Sequence, residues 1–97
     1  MAFEDDLRDT HLLDPDALLV INEIWEELDT GWKRAIRSEC EAGEDLWAME
    51  LALQAAVEIQ HTFSTRALKT ATSVANELGG DFSILVNNSL RSLKTEA

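Results

Sequence analysis

Apolar residues recur between residues 18 and 35 at alternating intervals of three and four, which is the period of a helix that buries one narrow stripe. The sequence Asp14-Pro15-Asp16 marks the start of this helix, because it offers a capping side chain, a proline at the first helical position and an acid in the first turn. Asp29-Thr30 could cap a separate helix, but the stripe continues in register across Gly31. The pattern therefore predicts one helix over residues 15–42.

A second helix is predicted over residues 44–78, because no glycine or proline interrupts the chain between Gly43 and Gly79. Between Leu46 and Ile59 this helix carries only three polar residues, spaced by four along one stripe: Glu50, Gln54 and Glu58. A helix with a single polar stripe is buried on more than one side. We expect the first helix to cover one side and a second copy of the chain to cover another. A break near residues 62–65, where threonine and serine become frequent, stays open.

These elements predict an all-α protein in which a long antiparallel helical hairpin is followed by a short helix over residues 82–94. The 97 residues suffice for one domain, and we divide them into an acidic arm, residues 1–13, and a helical domain, residues 14–97. Homodimerisation would complete a four-helix core. The residues expected in the core or the dimer interface are Leu18, Ile21, Trp25, Leu28, Trp32, Leu46, Met49, Leu53, Ala56 and Phe63.

Acidic residues outnumber basic ones by 19 to 8, which gives a formal net charge of −11. Ten of the acids but only one of the bases lie in residues 1–30. Such a surface lacks the cations that bind nucleic acid, and anionic membranes repel it. We therefore expect neither nucleic acid nor a membrane as a direct partner. The single cysteine and the acidic start of the chain favour a cytoplasmic protein.

One pair of residues, Glu58 and His61, has the i, i+3 spacing of the ligands in carboxylate-bridged metal bundles. The helical phase places both on the polar stripe, outside the core, so we predict no metal and no cofactor. Cys40 lies between Glu39 and Glu41, whose charges raise a thiol pKa, and we interpret it as structural. The sequence has no phosphate-binding loop and no Cys-x-x-Cys motif, and we predict that the protein is not an enzyme.

The expected function is stoichiometric binding of another protein, as a regulator or inhibitor that masks a transcription factor, a toxin, or a phage or host factor. Such a partner would offer a basic or an apolar groove. The residues expected to contact it are Phe3, Leu7, Leu12, Leu13, Glu23, Glu26, Glu27 and Trp47. Three alternatives stay open: an inhibitor that mimics nucleic acid in a basic cleft, a secretion or assembly chaperone, and a carboxylate-bridged metal bundle.

Overall fold

The computed structural model of the protein describes residues 14–93, and all the regular secondary structure in this range is helical. The prediction of an all-α fold is confirmed. Both long helices of the predicted hairpin are instead divided in two. The described residues form α1 (Pro15–Ile24), a 3₁₀ turn (Trp25–Glu27), α2 (Thr30–Glu41), α3 (Asp45–Ile59), α4 (Thr65–Leu78) and α5 (Gly80–Ser92).

The prediction of one helix over residues 15–42 is wrong, because Leu28 and Asp29 adopt extended backbone conformations with ψ of 144° and 174°. The Asp29 side chain accepts a hydrogen bond of 2.9 Å from the backbone N–H of Trp32 and thereby begins α2. Trp25 and Leu28 before the break are buried and Trp32 after it packs against the core, so the apolar spacing continues across the break. Asp29 therefore begins a new helix here, although the apolar stripe alone would allow one continuous helix.

The prediction of one helix over residues 44–78 is also wrong. Helix α3 ends at Ile59, and the next residue, Gln60, has a left-handed φ of 58°. The backbone N–H of His61 donates to the carbonyl of Ala56 at 2.9 Å, as in a Schellman C-cap. Ser64 then begins α4 by accepting a hydrogen bond of 3.2 Å from the N–H of Ala67. Glycine usually occupies this left-handed position, and a glycine here would have marked the end of the helix in the sequence.

Helix α3 lies at the centre of the fold and packs against α1, α2 and α5, while α4 packs against α1 and α5. The side of α3 that we assigned to a second copy is therefore covered by helices of the same chain. The small residues on α3 are fully buried: Ala48, Ala52, Ala55 and Ala56. A dimer is thus not needed to remove α3 from solvent.

The residues expected in the core or the dimer interface divide into two groups by exposure. Seven are buried: Ile21, Trp25, Leu28, Met49, Leu53, Ala56 and Phe63. Three are half-buried and pack against the edge of the core: Leu18, Trp32 and Leu46.

Glu50 departs from the polar stripe predicted for α3, since it is only 3% exposed whereas Gln54 and Glu58 are exposed. Its Oε1 accepts a hydrogen bond of 2.6 Å from Gln54 Nε2. Its Oε2 is buried and has no hydrogen-bond partner within residues 14–93. Burial raises the pKa of the Glu50 carboxyl above its usual 4.5, and the bond from Gln54 offsets part of this rise.

The raised pKa of Glu50 makes the stability of the fold depend on pH. The folded state keeps the Glu50 proton to a higher pH than the unfolded chain, so stability falls as the pH rises above 4.5 through the folded pKa. Glu50→Gln removes this titration. We expect the unfolding free energy of Glu50→Gln, relative to the wild type, to increase with pH across this window in urea titrations.

A companion variant gives the Glu50 prediction a second test. Gln54→Ala removes the hydrogen bond that lowers the pKa of Glu50, so the fall in stability should extend to higher pH than in the wild type. Parallel stability curves for the wild type and Glu50→Gln would contradict the assignment.

Candidate functional site

Trp47, one of the predicted partner-binding residues, is an aromatic residue that lines a surface groove. It lies in the first turn of α3 and is 39% exposed. Its ring meets the ring of Phe82 edge-on, with centroids 5.1 Å apart and planes at 87°. Leu78, at the end of α4, is 51% exposed beside the same groove. The groove has a volume of about 500 Å³, and its apolar lining, which we call its floor, consists of two aromatic rings and two leucines: Trp47, Phe82, Leu46 and Leu78.

Two glycine turns bring this apolar floor together. Gly43, with φ 81°, follows α2 and allows α3 to begin two residues before Trp47. Gly79, with φ 64°, separates α4 from α5 and places Leu78 and Phe82 on either side of the turn. Residues with side chains adopt these conformations only with strain, so the groove depends on glycine at both turns.

Carboxylates also line the groove, at Asp14, Glu44 and Asp45, and we call these three its rim. Among the described residues, no lysine or arginine lines the groove. The backbone N–H of Asp14 donates to Asp45 Oδ2 at 2.9 Å, which joins the start of α1 to the start of α3. Asp14 Oδ1 also caps α1 by accepting from the N–H groups of Asp16 and Ala17. We refer to Asp14, Glu44, Asp45, Trp47, Leu78 and Phe82 as the Trp47 groove.

Glu23 and Glu27 do not contribute to the Trp47 groove, because they bind the linker between α3 and α4. Glu23 Oε1 accepts a hydrogen bond of 3.0 Å from the backbone N–H of Ser64. Glu27 Oε2 lies 2.8 Å from His61 Nδ1. The third predicted acid, Glu26, is exposed in the 3₁₀ turn. Two of the acids predicted to face a partner therefore hold the fold together, although their side chains remain accessible.

The side chain of His61 is largely buried and makes contacts within the fold. Its side chain is 11% exposed, and its ring meets Phe63 edge-on at 4.7 Å between centroids. It bonds to Glu27, while Glu58, its predicted metal-binding neighbour, is exposed on α3. Within residues 14–93 no group of three or more His, Cys, Asp or Glu side chains is arranged to hold a metal ion. Among the described residues, Glu58 and His61 therefore have no further side chains arranged with them to hold a metal ion.

Four of the predicted partner-binding residues, Phe3, Leu7, Leu12 and Leu13, lie outside the described residues. Three exposed apolar residues were not among the predicted site residues: Leu78 at the end of α4, and Ile84 and Leu85 in the first half of α5. The glycine pair after Leu78 indicates in the sequence that a helix ends there. A residue at a helix end has fewer neighbours to cover it, so exposure of Leu78 could have been expected.

In the part of the chain that the structure describes, no helix has the length and apolar character needed to cross a membrane. No protein family, no curated protein and no solved structure matches this chain.

Proposed function

We propose that this protein acts by binding another protein stoichiometrically, as a cytoplasmic regulator or inhibitor, and that the Trp47 groove is the contact surface. One observation carries the proposal: a tryptophan, 39% exposed, lies with a second aromatic ring in a groove of about 500 Å³. Tryptophan is enriched among the residues that dominate binding energy at protein interfaces. An exposed aromatic residue in a concave surface is the arrangement that such an anchor needs.

The nucleic-acid mimic has less support than protein binding through the groove. Mimicry requires carboxylates in rows that are free to imitate phosphates. Asp29 is instead used to begin α2, and Glu23 and Glu27 bind the linker between α3 and α4. The chaperone alternative shares the Trp47 groove, and it differs in the chemistry of the bound segment.

Replacing Trp47 by alanine tests the proposed function. We expect Trp47→Ala to weaken binding of the partner by about 30-fold, since it removes the anchor of the interface. The measurement is quantitative affinity capture from the producing cells, followed by native mass spectrometry to establish one-to-one stoichiometry. A partner retained by the wild type should be lost from the variant.

Ile59→Ala is the matched control for Trp47→Ala. Ile59 is 40% exposed, close to the 39% of Trp47, but lies at the opposite end of α3. This variant should retain the partner. Equal capture by Trp47→Ala and the wild type, with both chains folded by circular dichroism, would refute the groove as the contact surface.

We also propose that the chain forms a homodimer, through α5 and not through α3. The exposed apolar residues of α5, Ile84 at 60% and Leu85 at 41%, supply the surface. Sedimentation at about micromolar concentration should give about twice the chain mass of 10.8 kDa, and Ile84→Ser should reduce it. A wild-type mass of 10.8 kDa would contradict the dimer.

A further inference from the structure

We propose that the Trp47 groove receives a basic amphipathic segment of the partner, with an apolar side chain against Trp47, Leu78 and Phe82 and with lysine or arginine beside the carboxylate rim. This inference rests on the proposed function, because it specifies the partner of the same groove. It is carried by the combination of an apolar floor and a rim of one charge sign.

The charge of the rim selects the chemistry of the segment. Glu44 is the exposed acid of the groove, while Asp14 and Asp45 add negative charge beside it and accept backbone hydrogen bonds within the fold. Among residues 14–93 no lysine or arginine lines the groove, so a bound segment meets carboxylates there. Opposite charges across an interface speed association and exclude wrong partners. An acidic segment would place like charges together, while a basic one forms ion pairs at the edge of the groove.

The floor requires an apolar anchor as well as charge. Trp47 and Leu78 are 39% and 51% exposed, so solvent contacts apolar surface that a bound side chain would cover. The edge-on contact with Phe82 fixes the Trp47 ring at one side of the floor. A cation alone would leave this apolar surface in water, and a neutral apolar peptide would place no positive charge beside Glu44.

A second copy of this chain is a poor occupant of the groove. Residues 1–30 hold ten acids and one base, and the whole chain has a net charge of −11. The acidic N-terminal third of a second copy would therefore bring like charges to the carboxylates of the groove. The dimer proposed above uses Ile84 and Leu85, which do not line the Trp47 groove.

A pair of designed peptides tests the chemistry of the segment. Both have about 14 residues, or four helical turns, and carry leucines at helical spacing on one face. One has lysines on the polar face and the other has glutamates. Binding to the full chain is followed through the indole N–H resonance of Trp47, assigned with Trp47→Phe. The lysine peptide should shift this resonance and bind about tenfold or more tightly than the glutamate peptide.

Salt and a charge reversal locate the binding. Raising the salt concentration from about 0.05 M to about 0.5 M should weaken the lysine peptide, because the rim charges become screened. Glu44→Lys should weaken it about fivefold. Glu58→Lys changes the chain by the same charge at the far end of α3 and should leave the affinity nearly unchanged.

The outcomes separate this inference from the proposed function. Equal, salt-insensitive binding of both peptides would overturn the basic segment and favour an apolar one, as for a chaperone. Equal weakening by Glu44→Lys and Glu58→Lys would show attraction to the whole acidic surface and would also overturn it. Either result leaves the proposed function standing if capture of the partner still depends on Trp47. A lysine peptide that binds in the groove supports the inference even if no partner is captured.

Discussion

Replacing Phe63 by alanine should lower the free energy of unfolding by about 3–5 kcal/mol, the usual loss when a large core side chain is truncated. Phe63 is fully buried although it lies in the linker between α3 and α4. Its ring also contacts the ring of His61, which bonds to Glu27. The substitution therefore creates a cavity and removes the support of a contact between the linker and the 3₁₀ turn.

The loss at Phe63 is large against a typical total stability of about 5–15 kcal/mol. Urea denaturation followed by circular dichroism measures it. Phe63→Leu, which keeps most of the apolar volume, should cost about 1 kcal/mol. Ile59→Ala removes an exposed side chain and should change stability by less than about 0.5 kcal/mol. A loss at Phe63→Ala no larger than at Ile59→Ala would contradict the assignment of Phe63 to the core.

Cys40 should resist alkylation in the folded protein by about three orders of magnitude relative to the unfolded chain at about pH 8. Burial, together with the smaller effect of the charges of Asp45, Glu39 and Glu41, raises the pKa of its thiol from 9.0 to about 12. The reactive species is the thiolate, whose fraction falls tenfold for each unit of pKa above the ambient pH. The side chain is also buried, so the reagent cannot approach it.

Alkylation rates with iodoacetamide, read by mass spectrometry in native buffer and in urea, measure the protection of Cys40. The control is Ser38→Cys in a Cys40→Ser background, which moves the thiol to an exposed position in the same helix. This variant should react at nearly the unfolded rate. Rapid native labelling of Cys40 would contradict a structural role.

The sequence predicts the class of fold and most of the core, because apolar periodicity depends on local spacing alone. Gly43, Pro15 and Asp14 act at the ends of helices as predicted. The break at Asp29 competes with a stripe that stays in register on both sides, and periodicity cannot detect such a break. The break after Ile59 lacks the usual glycine, so the frequent threonine and serine near residues 62–65 leave it open without deciding it.

The candidate site is predictable in part. Trp47 stands out because it begins a helix near a turn, where few neighbours can cover it. Leu78 and Phe82 become its neighbours only through the packing of α3 against α5, which no local pattern encodes. The internal contacts of Glu23 and Glu27 could not be predicted for the same reason, since Ser64 and His61 are more than thirty residues away from them in the chain.

The internal bonds of Glu23, Glu27 and Asp29 bear on how the protein could be engineered. A designer who wishes to reduce the net charge of −11, for example to ease crystallisation, cannot treat its acids as interchangeable. Neutralising those three would loosen the α3–α4 linker or the start of α2. Glu41 and Glu58 are better targets, because they lie at the C-terminal ends of α2 and α3, where the helix dipole disfavours an acid.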